Sequence, residues 1–235
     1  MIKKNNKAQV AIFIILGLII VVAIILLFLV FRRPDITTTD FTNPQSYIDS
    51  CVKESLTTGV ETLSSQGGDI NPVGSITYQG EQITYLCYNK NYYKPCINQR
   101  PMLIEHIEQE ITDYIEPDIK NCFKSLESEL EENNYQVISK GLDIETNLEV
   151  GVIQVIIKKD FKMTTREETR TFKEFKTTQT HPLYELAEIA NEITSQEAEY
   201  CYFNTNGFNS NYPRYKVKKD MISDSKIYNV IDTSS

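Results

Sequence analysis

The sequence predicts an α+β protein: an apolar N-terminal helix, then a domain of about three amphipathic helices and an antiparallel sheet. Three observations carry that expectation. The run VAIFIILGLIIVVAIILLFLVF (Val10–Phe31) holds no charged or strongly polar side chain. Three later segments place apolar residues at helical spacing, and the stretches between them alternate β-branched or aromatic residues with polar ones. Helical and strand-like segments come in separate runs, which favours α+β over a parallel α/β arrangement.

Residues 1–9 form a basic leader, and residues 10–31 are long enough to span a bilayer, since 22 helical residues reach about 33 Å. Lipid offers no partner to unpaired backbone groups, so a single spanning segment must be helical. A secretory signal has a shorter apolar core of about 7–15 residues followed by a small-x-small cleavage site. Here Arg32, Arg33 and Pro34 follow instead, so the segment reads as a retained anchor whose partner is membrane lipid. Lys3, Lys4, Lys7 and the terminal amine precede it, against Arg32 and Arg33 after it, which places the N-terminus in the cytoplasm. Residues 32–43, with the Thr-rich ITTTDFTNP (Ile36–Pro44), form a polar spacer. Residues 44–235 are then an extracytoplasmic domain at the cell membrane.

Residues 1–33 hold five of the 24 Lys and Arg residues and none of the 32 Asp and Glu. The rest keeps 19 bases against 32 acids, a net −13, which argues against nucleic acid as a partner.

Asn43-Pro44 predicts a helix start, with Asn as cap and Pro in the first turn. Tyr47, Ile48, Cys51, Val52, Leu56, Val60 and Leu63 supply its apolar stripe, and Gly67-Gly68 closes it. A second helix opens at Pro101 and runs through Ile107 and Ile111 to Ile115. Pro117 is expected to break or kink it before the pattern resumes at Ile119, Cys122, Phe123 and Leu126. A third begins at Pro182 and uses Leu183, Leu186, Ile189 and Ile193. Ser75–Gln79 and Gln82–Tyr88 read as a hairpin around Gly80. Tyr135–Ser139, Asp143–Leu148, Val152–Lys159 and Thr169–Thr178 read as a meander, and Lys216–Ile222 with Lys226–Ile231 as a last hairpin.

Five cysteines are present, with no C-x-x-C spacing and only two histidines, His106 and His181, which disfavours structural zinc. Packing the stripes of the first two helices would bring Cys51 to Cys122, while Cys87 and Cys96 bracket YNKNYYKP, a loop that a disulfide would close. Cys201 is left unpaired, either buried and inert or bonded to another chain. The alternative is that all five are small core residues.

No motif for nucleophilic, metal-dependent or nucleotide chemistry is present, and neither catalytic residues, cofactor nor metal ligands are assigned. His106, in IEHIEQE, is expected along a helix flank, and His181 at a helix start. Carboxylate runs such as Glu127–Glu132 read as solvated faces. The most unusual stretch, AEYCYFNTNGFNSNYPRY, carries Tyr200, Tyr202, Phe203, Phe208, Tyr212 and Tyr215. Either these rings pin a long loop to the core, or they offer a surface protein or glycan large contact area at small entropic cost.

The opening KKNNKAQVAIFIILG resembles archaeal surface proteins with class III, type IV pilin-like signals. That resemblance implies cleavage between Ala8 and Gln9, with the helix kept for anchoring or self-association in a filament. Phe13 stands where many pilins carry glutamate. The wider layout resembles uncharacterised membrane-anchored proteins of small-genome archaea. The shared features are an anchor, a cysteine-bearing helix ending in Gln66–Gly68, a second such helix and a β meander. The expectation is therefore a single-pass cell-surface protein with a structural or interaction role and no catalysis. The alternative is a pilin-like subunit assembled through its N-terminal helix.

Overall fold

The computed structural model describes residues 41–234 apart from Tyr92. The described residues fall in one compact unit. Helix α1 (Pro44–Ser65) starts where Asn43 accepts the backbone N–H of Ser46, with Pro44 in its first turn. It ends as the Gly68 N–H returns to the Leu63 carbonyl. Gly67 and Gly68 there hold φ of +78° and +101°, a backbone state that only glycine adopts without strain.

Strands β1 (Ser75–Tyr78) and β2 (Glu81–Thr84) form one small hairpin; β3 (Cys87–Tyr88) and β4 (Ile97–Asn98) pair separately. The segment expected as one strand to Tyr88 thus divides after Thr84. The cause is the covalent loop Cys87–Cys96, which turns the chain back so that Cys87 pairs with Asn98.

Helix α2 (Leu103–Glu132) runs through Pro117, so of the expected break or kink the break does not occur. Pro117 is exposed, and its ring costs the helix one backbone hydrogen bond. The flanking Ile111, Ile115, Ile119 and Phe123 are all essentially buried on one face, and burial of about 1.5–3 kcal/mol per side chain holds the helix together across the proline. Helices α1 and α2 lie antiparallel: Tyr47 donates to Glu129, Cys51 bonds Cys122, Ser55 donates to Asp118, and Gly59 faces the Tyr114 ring.

Both helices cover one three-stranded antiparallel sheet of β5 (Gln136–Glu149), β6 (Val152–Thr164) and β7 (Thr169–Thr180), with α2 against β5 and α1 against β7. Strand β5 is one long strand, not two. The register slips between Lys140 and Asp143, and Gly141 sits there at φ +68°. That bulge inverts the phase: Val137 and Ser139 point inward before it, and Ile144, Thr146 and Leu148 after it. Phe123, Phe161 and Phe175 meet at the centre, with ring centroids 5.0–6.0 Å apart.

Helix α3 (Leu183–Tyr200) contributes Leu183 and Ala187 to this core. Its Ile189 and Ile193 join a second, smaller cluster with Phe203 and Val217. That cluster is completed by the short helix α4 (Thr205–Asn211) and the hairpin of β8 (Tyr215–Ile222) and β9 (Ser225–Asp232). The architecture is α+β with antiparallel sheets. Among the described residues no helix is long and apolar enough to cross a membrane. The expected span 10–31, the leader and the processing site Ala8–Gln9 lie outside the described residues.

Candidate functional site

Cys51 bonds Cys122 between α1 and α2, and Cys87 bonds Cys96. The first pairing follows from the helical stripes. Cys122 is buried and Cys51 half-buried at the seam where the two helices meet. Cys201 is unpaired and exposed, so the buried alternative does not hold. It caps α3 in the left-handed region, at φ +55°.

The expected aromatic loop is largely not a loop. Asn204 accepts the Gly207 N–H and starts α4. Phe203 is buried between Phe208 and Tyr228, and Phe208 and Tyr215 are half-buried against the same cluster. Tyr200, Tyr202 and Tyr212 remain exposed. The six rings therefore divide between a core role and a surface role.

Cys201 lies on the lining of a cavity of about 1190 Å³. Its floor is apolar, from Leu63, Leu103, Ile107, Ala187 and Ile193, and the two hairpins β1–β2 and β8–β9 form its walls. The walls are tied together: Tyr78 donates to Asp220, and the Tyr85 and Ser225 hydroxyls lie 3.2 Å apart. Inside, Glu197 is buried and accepts from Lys226 and from the Tyr228 hydroxyl. Burial first, and then the Glu197 hydrogen bond and charge, hold the Tyr228 phenol far above its ordinary range. Lys226 also donates to the Cys201 carbonyl at 2.7 Å, closing the end of α3 onto β9.

A second polar cluster lies where the turn after Gly68 meets the start of α2. The Asp69 side chain is only 4% exposed. It accepts from the Thr84 hydroxyl at 2.6 Å and from Arg100 at 3.3 Å, and it contacts His106 Nε2. Burial raises its carboxyl pKa, but the bonds from Thr84 and His106 and the Arg100 charge outweigh this and hold it below 3.8. His106 and Glu110 stand one helical turn apart on α2, and Glu110 accepts the Ile70 N–H at 2.8 Å. One ligand atom from each of Asp69, His106 and Glu110 lies within 4.8 Å of the others, a set able to hold a metal ion. Placing His106 on a helix flank missed this cluster. The available signal was the His-x-x-x-Glu spacing; nothing in the sequence pointed to Asp69, which arrives through the double-glycine turn.

The fold and these sites define a disulfide-cross-linked α+β domain that carries a large cleft. Compared with protein-family models, with characterised proteins and with solved structures, the chain matches none.

Proposed function

We propose that the chain is a single-pass, membrane-anchored cell-surface protein. Residues 10–31 lie in lipid, the N-terminus is cytoplasmic, and the domain from residue 44 onward has a structural or interaction role outside the cell. The observation that carries this reading is the pair of disulfides. Such bonds persist in oxidising compartments and are rare where thiols are kept reduced. The charge-free run Val10–Phe31, bounded by lysines and by Arg32-Arg33, supplies the matching anchor. The exposed Tyr200, Tyr202 and Tyr212 offer contact area to a surface protein or glycan. We assign no catalysis: Glu197 ties Lys226 and Tyr228 to α3, and Asp69 ties Thr84, Arg100 and His106 together.

Protease treatment of intact cells tests the placement. The domain should be digested from outside, while a lysine-bearing N-terminal peptide stays with the membrane. Complete protection in intact cells, or recovery of the chain in the soluble fraction, would overturn it. The intact mass of native protein adds a second reading: loss of residues 1–8 would mark cleavage between Ala8 and Gln9 and favour the pilin-like alternative.

A further inference from the structure

We propose that Asp69, His106 and Glu110 form a binding site for a divalent transition cation of the Zn²⁺ class. The inference is independent of the membrane placement. Three features support it, the first being donor chemistry. One imidazole and two carboxylates suit zinc and its first-row neighbours, whereas Ca²⁺ and Mg²⁺ favour all-oxygen shells.

The second feature is geometry. His106 and Glu110 share one face of α2 at i and i+4, and the turn after Gly68 delivers Asp69 to the same point, so all three ligand atoms fall within 4.8 Å. Ligand atoms on bonds of about 2.0–2.1 Å in a tetrahedral shell sit roughly 3.4 Å apart, so a pair near the 4.8 Å limit would close by about 1.4 Å, while Asp69 and His106, already in contact, would open slightly to admit the ion. The second carboxylate need not break its existing bond. Glu110 gives Oε2 to the Ile70 N–H, and its other oxygen carries no hydrogen bond among the described residues.

The third feature is a conflict at His106 Nε2. Arg100 Nε–H points at this nitrogen from 3.3 Å, and Asp69 Oδ1 faces the same nitrogen. A protonated Nε2 serves Asp69 but confronts the Arg100 N–H. A bare Nε2 accepts from Arg100 but turns its lone pair on a carboxylate. Neither tautomer satisfies all three groups. A cation seated among Asp69, His106 and Glu110 accepts a lone pair from each and removes the conflict. The Arg100 side chain, 31% exposed, then swings toward solvent. In the metal-free site Arg100 acts as the resident cation, and metal competes with it. The bound ion would tie the turn after α1 to the first turns of α2, leaving a fourth position to water.

Arg100 makes the test decisive. Zinc binding is measured by calorimetric titration of the full chain in detergent after chelator treatment. A Cys201→Ser background removes the exposed thiol as a competing ligand. The parent should bind one Zn²⁺ per chain, His106→Gln and Glu110→Gln should each weaken binding at least tenfold, and Arg100→Gln should tighten it several-fold. Far-UV circular dichroism without zinc confirms that each variant is folded. Absence of saturable binding near one equivalent would overturn the proposal, as would affinity unchanged in His106→Gln. Weakening by Arg100→Gln would overturn it too, since Arg100 would then support the cluster and not compete for it. If His106→Gln does not fold, the Glu110→Gln and Arg100→Gln pair decides by the same criteria.

Discussion

Replacing Cys51 and Cys122 together by alanine should cost far more stability than replacing Cys87 and Cys96. The two bridges close loops of very different length, 71 against 9 residues of separation. The chain-entropy relation gives about 4.4 kcal/mol for the first and about 2.6 kcal/mol for the second at 25 °C. Truncating the buried Cys122 adds a small packing loss, so the first variant should lose about 4–5 kcal/mol. That corresponds to roughly 8–20 °C in Tm for a domain of this size. The chain has no tryptophan, so urea unfolding is best followed by far-UV circular dichroism. Reduced parent protein serves as the control that leaves packing intact. The reasoning fails if the Cys51/Cys122 variant loses under 1 kcal/mol, or less than the Cys87/Cys96 variant. Either result would mean that helix packing already restricts the unfolded chain, or that the cross-link does not form.

Pro117→Ala should raise stability by about 1–3 kcal/mol in the same urea assay, because alanine restores the N–H that the middle of α2 lacks; no gain would show the helix already relaxed around the ring. Gly68→Ala should lower stability by about 1–3 kcal/mol, since φ is +101° and an added Cβ would meet Leu103 Cδ1 at 3.3 Å; a neutral result would contradict the close turn. Phe175→Ala should cost about 3–5 kcal/mol by emptying the space between Phe123 and Phe161, and a loss below 1 kcal/mol would deny that these rings form the core. Burial, only partly offset by Glu185 and Glu61, lowers the pKa of His181 below 6.5, so the unfolded chain takes up its proton first. The stability from this group is therefore present above pH 6.5 and lost as pH falls through the lower folded value. Unfolding midpoints of His181→Gln against parent between pH 7.5 and 5 should show the variant less acid-sensitive, and parallel curves would refute it.

Much of the fold was legible because hydrophobic period and turn chemistry agree in this chain. Asn43-Pro44 and Gly67-Gly68 bracket α1 in the sequence as they do in space. The stripes carrying Cys51 and Cys122 placed both residues on packed faces, so their proximity followed from amphipathicity. The misreadings share a physical origin in effects that outweigh local signals. At Pro117 a continuous buried stripe outweighs one lost hydrogen bond. At Gly141 a bulge reverses the alternation of β5, and a period-2 pattern cannot be followed through a reversal. The aromatic stretch after Tyr200 read as loop because α4 is short and has no apolar stripe of its own; it stands on the Asn204 cap and on Phe208. The Asp69 cluster was not legible, since its members come from a turn, a connecting segment and a helix, with Arg100, His106 and Glu110 lying 31, 37 and 41 residues after Asp69.

The most direct measurement of the central claim is a thiol count on native protein, quenched in acid and alkylated under denaturing conditions before mass mapping. The account predicts one alkyl group per chain, on Cys201, with Cys51 recovered linked to Cys122 and Cys87 to Cys96. Five alkylated cysteines would contradict it, and with them would go the oxidising compartment assigned to this domain.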